Sequence, residues 1–381
     1  MKRFLRRQCK VTKLWILLAV SLLIALIIDI RDKKFAAAGS KKKDVLFTFV
    51  LAVVLSIFCG LRTWGNDTAT YRDIYVHLTP DLNGFFGSEL PPFATGIGLA
   101  FINSLLKTLN FTFQNYLLFF AFATVIPYVY FVRRYSRSMV FGVFLMFTTG
   151  FYTFTLAAIK QCMATAFCLL AVSAALDKKW VSYLLFIALA SLFHPYSLVY
   201  LLVPLMMFKP WTNRTFIYMA IFIAVGFLLE ELLGVVLDVT DMMGAVYDEN
   251  SFIGEGVNIF RVIVAFVPLG LAAVGGRKTF LSSTKTDDLM FNLAMLNALI
   301  MFVGLFGTAN YFARLANYFL PGQIITIPYL LKRWKPSQGR VLTIACIIGY
   351  LGYFIYENAI IRPFDYSYSH MNFFDYISSL F

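Results

Sequence analysis

The stretch FCGLRTWGNDTATYRDIY, residues 58–75, places charged side chains directly after one of the most apolar runs of the chain. Arg62 ends that run, the turn GND brings Asp67 back towards it, and Tyr71 follows. A guanidinium carries a rigid fork of donors that matches phosphate oxygens, and it keeps its charge in apolar surroundings. Arg62 is therefore a candidate anion ligand. An Arg that only reaches the membrane surface and pairs with Asp67 is the structural alternative.

Two further polar positions interrupt apolar segments. In TLAAIKQCMATA, Lys160 and Gln161 stand at the start of a helix. A Lys there often anchors a helix end, but an amide in hydrocarbon needs a partner. In ALASLFHPYSLVYLLVP, His194 stands at a helix break imposed by Pro195,. It is either a buried structural His or a general base, because imidazole titrates near neutral pH.

The segment GTANYFARLANYFLPGQ carries a fourth polar cluster. On a helix Asn310, Arg314 and Asn317 fall at positions i, i+4 and i+7, and Tyr311 and Tyr318 flank the same side,. Amides and aromatic rings beside a cation are typical of a site for a sugar or a phosphate. A structural Arg would more often stand alone.

The elements that hold these residues are predicted to be membrane helices. Hydrophobic residues make up 60% of the 381 positions and charged residues only 14%, and mean hydropathy is +0.75, too apolar for a water-soluble fold. The net charge of +13 sits mostly in short loops beside apolar runs, which orients a membrane protein and does not indicate nucleic acid. The five cysteines lack CxxC spacing, so neither a disulfide framework nor a metal site is predicted.

The chain is predicted to be one all-α integral membrane domain, residues 1–381, of about 12 helices. It has a basic tail at 1–13 and outer loops at 62–92 and 238–258. Apolar runs of membrane-crossing length predict the spans, which are 14–30, 45–61, 114–132, 139–157, 160–177, 180–193, 195–208, 214–236, 258–276, 289–307, 310–331 and 340–357.

Basic loops set the orientation from the middle of the chain onward. The segments that the positive-inside rule assigns to the cytoplasm are 133–138, 177–180, 209–214, 275–278 and 331–340. The beginning is ambiguous, because the basic tail and the basic loop 31–44 flank one helix. We favour 93–109 as a re-entrant or interfacial helix, since Gly96, Gly98 and Lys107 make it a poor span,. All four polar clusters then share the outer level.

Taken in order, these motifs resemble the EpsG family of Wzy-like exopolysaccharide polymerases. GLRTWGNDTATYRDIY resembles the family's arginine and G-x-D-x-x-x-Y motif, and ELPPFATGIGLAFINSLLKTL its Glu-Pro-type segment. IKQCMATA and LFHPYS are similar to its Arg-Gln helix and Phe-His-x-Ser turn, and YFARLANYF to its late arginine helix. The resemblance covers roughly residues 45–331. Lys160 stands where the family usually has Arg, and Pro195 displaces the small polar partner of His194 to Ser197.

The resemblance implies a GT-C-type glycosyltransferase of the bacterial plasma membrane that polymerises exopolysaccharide or capsule. The implied substrate is an oligosaccharide on undecaprenyl diphosphate, and the implied partners are membrane lipid, a flippase and a chain-length regulator, without cofactor or metal. Arg62, Lys160 and Arg314 would bind the diphosphate. His194 would be the base, with Asp67 as its rival. The expected substrate contacts are Tyr71, Gln161, Asn310, Tyr311, Asn317 and Tyr318. A transporter or flippase of the same lipid-linked sugar is the alternative, because it also needs a cationic cavity.

Overall fold

The computed structural model describes residues 2–40, 42–65, 67–79, 82, 85, 96–242, 256–307, 309–361 and 368–378. The α-helices of these segments are α1 (Lys2–Ala37), α2 (Leu46–Gly60), α3 (Thr68–His77), α4 (Ile97–Thr108), α5 (Phe113–Tyr135), α6 (Met139–Thr148), α7 (Ile159–Leu176), α8 (Trp180–Phe193), α9 (Asn213–Phe227), α10 (Leu229–Met242), α11 (Ile259–Gly275), α12 (Lys285–Val303), α13 (Ala309–Asn317), α14 (Leu320–Leu331), α15 (Pro336–Ile355) and α16 (Phe373–Ser378). Narrower 3₁₀ helices cover Thr153–Leu156, Pro195–Met206 and Gly276–Phe280, and a π-helical turn covers Tyr356–Ile361.

The predicted all-α transmembrane bundle is confirmed. In the described residues, six helices are long and apolar enough to cross a membrane, namely α1, α5, α7, α11, α12 and α15, and shorter apolar helices lie between them. α7, α12 and α14 are buried on all sides, whereas α9, α11 and α15 expose apolar side chains, as lipid-facing helices do,. The central helices α7 and α14 are those that border the polar clusters.

Three predicted spans are broken into shorter pieces. The span 139–157 ends as α6 at Thr148, because Gly150 takes a left-handed conformation (φ 81°) before the first 3₁₀ helix,. The span 214–236 breaks between α9 and α10 at Leu228. The span 310–331 divides into α13 and α14 around a turn at Tyr318, with Pro321 in the first turn of α14,. Gly150 and Pro321 are visible in the sequence, but the prediction treated each apolar run as one span. The predicted count of about 12 helices is not confirmed.

One end of the bundle is held by ion pairs and is called here the basic face. Arg133 pairs with Asp32 (2.7 Å), Arg134 with Asp177 (2.6 Å) and Arg137 with Asp287 (3.0 Å). Asp29 accepts hydrogen bonds from Ser138 Oγ and from the backbone N–H groups of Met139 and Val140 at the start of α6. The loop 31–44 thus lies with the basic segments that the positive-inside rule assigns to the cytoplasm.

The opposite end, called the motif face, carries the first polar cluster. Lys107 of α4 donates to the carbonyls of Tyr75 (3.1 Å) and Val76 at the end of α3. Tyr75 Oη donates to the carbonyl of Phe111 (2.9 Å), just before α5 begins. α3, the end of α4 and the start of α5 therefore lie at the same level.

A two-stranded antiparallel sheet, which the sequence did not predict, covers the motif face. Strand β1 (Arg62–Gly65) pairs with β2 (Tyr368–His370), so that Arg62 faces His370. The described C-terminal segment 368–378, called the strap, is also attached through Met371 N–H to the Leu61 carbonyl (2.9 Å) and Tyr376 Oη to Asn115 (2.6 Å). The strap thereby closes over the C-terminal end of α2.

Candidate functional site

His194 lies at the top of a hairpin that is too short to cross the bilayer. α8 has 14 residues, which is about 21 Å of helix against a hydrocarbon thickness of about 30 Å. The 3₁₀ helix Pro195–Met206 returns to the basic face, where Asn292 of α12 donates to the carbonyls of Met206 and Phe208. His194 therefore lies below the level of the motif face, and the space between His194 and that face is called here the depression.

α4 packs directly on the end of α8 beside His194. A Cβ added at Gly96 would lie 2.7 Å from the carbonyl oxygen of Phe193, and one at Gly98 would lie 3.0 Å from Leu192 Cβ. The glycines that make this segment a poor lipid-facing span thus allow a close approach of two backbones. α4 forms a wall of the depression.

Tyr318 fixes the ring of His194. Tyr318 Oη lies 2.9 Å from His194 Nδ1, and Tyr318 is fully buried. The Tyr318 carbonyl in turn accepts a hydrogen bond from Tyr200, whose ring stacks on Phe319. Tyr318 was expected to present its ring to a sugar. That expectation stays a prediction; in the structure the ring is fully buried and its hydroxyl group contacts the imidazole.

Lys160, Gln161 and Arg314 meet next to His194. Gln161 Nε2 donates to the Arg314 carbonyl (2.6 Å) and so joins the first turn of α7 to α13. The Lys160 ammonium and the Arg314 guanidinium are close enough to interact electrostatically with each other and with the imidazole of His194. Within the described residues, neither cation has a carboxylate oxygen within 4 Å. Their positive charges are left for an anion from outside.

Gln161 also holds an unused acceptor in this place. Its side chain is 1% exposed, and its Oε1 has no hydrogen-bond partner in the described part of the chain. A buried amide oxygen without a donor costs free energy. A hydroxyl group or a water molecule in the depression would satisfy it.

Asp67 and Tyr71 border the same cluster from α3. Asp67 precedes the first residue of α3 and interacts electrostatically with Lys160 and with Tyr71. Tyr71 Oη lies 3.5 Å from the backbone nitrogen of Lys160. Burial raises the pKa of Tyr71 to about 12, so this phenol stays a neutral hydrogen-bonding group at neutral pH.

Arg62 lies behind the first turn of α7 rather than in the depression. It is 1% exposed, donates to the Cys59 carbonyl (2.8 Å) and Thr68 Oγ1 (3.2 Å), and borders a cavity of about 10 Å³ with Ile159 and Cys162. Successive residues of an α-helix are turned by about 100°, so Lys160 and Gln161 point away from the side that Arg62 contacts. The alternative for Arg62, an ion pair with Asp67, is not formed within 4 Å in the described residues.

The α13 residues are placed less uniformly than the i, i+4, i+7 pattern suggested. Tyr311 is partly exposed and makes an edge-to-face contact with Tyr196 (5.3 Å between centroids), which in turn contacts His194 (4.9 Å). Asn317 is partly buried at the end of α13. The side chain of Asn310 lies outside the described part. The sequence reading missed Tyr196 and Tyr200, since tyrosines are common throughout this chain.

The chemistry of the cluster is that of an anion site with hydrogen-bonding groups on its walls. Two cations, an imidazole and a carboxylate converge within it, all from elements that end at or below the motif face. In the described segments no group of three or more His, Cys, Asp or Glu side chains is arranged to hold a metal ion.

The sequence profile of the EpsG family matches residues 45–378. The chain belongs to the EpsG family. EpsG is a family of Wzy-like polymerases. The chain is therefore an exopolysaccharide-related polymerase of the membrane. Membership of the family implies a glycosyltransferase-like activity in general terms. The match extends past residue 331, where the motif resemblance ended, and takes in the strap. No curated protein and no solved structure matched this chain.

Proposed function

We propose that this EpsG family protein transfers a growing glycan from undecaprenyl diphosphate to a hydroxyl group of a lipid-linked repeat unit, at the outer face of the bacterial plasma membrane. The observation that carries the proposal is the meeting of Lys160 and Arg314 beside His194, with no carboxylate oxygen within 4 Å of either cation among the described residues. On the basic face, by contrast, Arg133, Arg134 and Arg137 are paired with aspartates.

Two neighbouring like charges repel each other, and the repulsion is strong where water is partly excluded. A diphosphate relieves it, and its negative charge grows as the glycosidic bond to phosphate breaks. Cations fixed at that position stabilise the transition state more than the ground state. We therefore assign Lys160 and Arg314 to the diphosphate. Arg62, fully buried behind α7, is assigned to holding the end of α2 and β1 in place and to adding positive potential.

The contact between Tyr318 and His194 bears on the role of the imidazole. Tyr318 Oη is buried, and His194 Nδ1 is its one hydrogen-bond partner in the described part of the protein. Leaving the buried hydroxyl hydrogen without an acceptor would cost about 1–3 kcal/mol, so the hydroxyl donates to Nδ1. A neutral imidazole then carries its proton on Nε2. This supports His194 as a hydrogen-bond donor to the departing diphosphate.

Asp67, the rival of His194 for the role of general base, is then the better candidate for that role. Its carboxylate has no hydrogen bond or ion pair within 4 Å among the described residues. It lies within electrostatic reach of Lys160, at the same end of the bundle as the anion cluster. Removal of the attacking hydroxyl proton by such a carboxylate is ordinary general base catalysis.

The remaining polar and aromatic groups suit a sugar acceptor. Tyr311 is partly exposed and can stack on a sugar ring, and the Gln161 amide oxygen can accept from a sugar hydroxyl. Asn317, Asn310 and Tyr71 stay proposed contacts of the substrate. No divalent ion is invoked in this scheme.

The test uses purified protein with lipid-linked repeat units, and the readout is the length of the product. Arg314→Gln and Lys160→Gln should leave single repeats unreacted, because the leaving diphosphate loses its counter-charges. Arg72→Gln is the matched control, since Arg72 is an exposed cation of α3 that contacts the Phe113 ring. Polymer of normal length from the Arg314→Gln variant would show that Arg314 does not bind the leaving diphosphate. A wild-type protein that only moved the lipid-linked sugar across vesicles, without forming a glycosidic bond, would favour the transporter alternative.

A further inference from the structure

A second cavity, of about 560 Å³, lies at the opposite end of the molecule from the polar cluster. Its walls are formed by the loop before α9, the first residues of α9 and the 3₁₀ helix Gly276–Phe280. This is the basic face. Nothing in the proposed transfer reaction uses this cavity.

Two guanidinium groups border this cavity, those of Arg214 and Arg277. Arg277 Nε donates to the Trp211 carbonyl (2.9 Å), and Arg214 is exposed at the start of α9. Neither has an acidic partner within 4 Å in the segments that the structure describes. Lys209 of the same cavity differs, because Asp288 lies 3.6 Å from its ammonium and Ser283 Oγ 2.8 Å. The unbalanced charge is thus that of the two arginines.

The walls between these arginines are largely apolar and continue into the lipid-facing surface. Phe208, Pro210 and Phe280 form the buried side, and Leu281 at the rim is 77% exposed. Phe216 and Ile217 on the first turns of α9 are also exposed. A free phosphate ion would fill only the charged part of such a cavity, whereas a phospholipid offers an anionic head group together with apolar chains.

We propose that this cavity binds one anionic phospholipid of the leaflet at the basic face, with Arg214 and Arg277 on its phosphate. The N-terminal end of α9 adds to the attraction, because the first backbone N–H groups of a helix favour an anion. The lipid fills the groove between α9 and the 3₁₀ helix Gly276–Phe280. It links these elements at the side of the bundle away from the polymerase site.

The experiment is native mass spectrometry of delipidated protein with equal amounts of phosphatidylglycerol and phosphatidylcholine of identical acyl chains. Wild type should retain phosphatidylglycerol with a preference of about 30-fold, the value expected from two arginines near an anionic head group. Arg214→Gln/Arg277→Gln should lose the preference. Lys335→Gln/Arg340→Gln removes the same charge from exposed positions of this face that do not border the cavity, and it should keep the preference.

Three results would overturn the proposal: no preference in wild type, an equal loss in the control pair, or full competition by glycerol phosphate, which lacks the chains. Because Arg277 also holds the loop at Trp211, its double variant could fail to fold. Arg277→Lys with native Arg214 should then retain most of the preference, and Arg214→Gln alone should lose a large part of it. If Arg277→Lys lost the preference and Arg214→Gln kept it, the assignment of these two arginines to the phosphate would be contradicted.

Discussion

Removing the Tyr318 hydroxyl, as in Tyr318→Phe, deletes the described contact of His194 Nδ1 at 2.9 Å. A neutral buried hydrogen bond contributes about 1–1.5 kcal/mol, which corresponds to about a tenfold change in rate. We expect kcat to fall by about that factor, because the imidazole loses both its orientation and the group that keeps its proton on Nε2. KM should change little, since Tyr318 is fully buried and is not expected to touch substrate.

The assay is the initial rate of polymer formation by purified protein over a range of lipid-linked acceptor concentrations. Tyr183→Phe is the matched control, because Tyr183 is equally buried and its hydroxyl donates to the Tyr200 carbonyl, farther along the same hairpin. In a His194→Gln background, where the amide can still donate a hydrogen bond, Tyr318→Phe should cost nothing further. Unchanged kcat in Tyr318→Phe, or additive losses in the double variant, would refute the reasoning.

Three further predictions concern the other side chains at the motif face. Asp67→Asn should reduce kcat by about 100-fold or more with normal protein level, the usual effect of losing a general base; turnover near wild type would exclude that role. Arg62→Gln should lower the free energy of unfolding by about 3 kcal/mol, because it removes several buried hydrogen bonds of a charged donor. KM for the lipid diphosphate should stay within a few-fold of wild type. A selective rise in KM would instead place Arg62 on the substrate. Burial together with the charges of Lys13 and Arg62 lowers the pKa of His370 to about 3. Because the ring in the released strap titrates near 6.5, it binds a proton more readily than the ring in the attached strap. Acidification from pH 6.5 to pH 5 should therefore favour release of the strap, by at most about 2 kcal/mol. The hydrogen-exchange protection factors of residues 368–378, corrected for the slower intrinsic exchange at lower pH, should fall between pH 6.5 and pH 5, and His370→Phe should remove the change.

Much of the helical framework could be predicted from the sequence, because hydrophobic length and Pro or Gly punctuation report directly on membrane helices. The break at His194 is the clearest case, since the prediction of 180–193 coincides with α8. Two of the breaks within predicted spans were missed because local sequence does not mark them clearly. The interruptions at Leu228 and Tyr318 are made of residues that also suit helices, so only tertiary contacts, such as Asn297 Nδ2 on the Ala316 carbonyl (2.8 Å), fix the turns.

The sequence pointed to Lys160, Gln161, His194 and Arg314 as polar interruptions, but neither the contact of Tyr196 with His194 nor the direction of each side chain could be predicted from it. Lys160 and Arg314 come together from helices far apart in sequence, as polar residues at one membrane level tend to do. Whether Arg62 points into the depression depends on the rotation of α7 against α2, which here places Ile159 and Cys162 beside Arg62 around a small cavity. The strap could not be foreseen, because three residues of strand β2 carry no recognisable alternation.

The most direct test of the diphosphate site is the affinity of the purified protein for farnesyl diphosphate, a short prenyl diphosphate, measured by calorimetry. Lys160→Gln and Arg314→Gln should each weaken binding by about tenfold or more, as expected for loss of a charge-assisted hydrogen bond, and Arg72→Gln should bind as wild type does. Equal affinity in all four proteins, or an equal loss in the Arg72 control, would contradict a diphosphate site formed by Lys160 and Arg314.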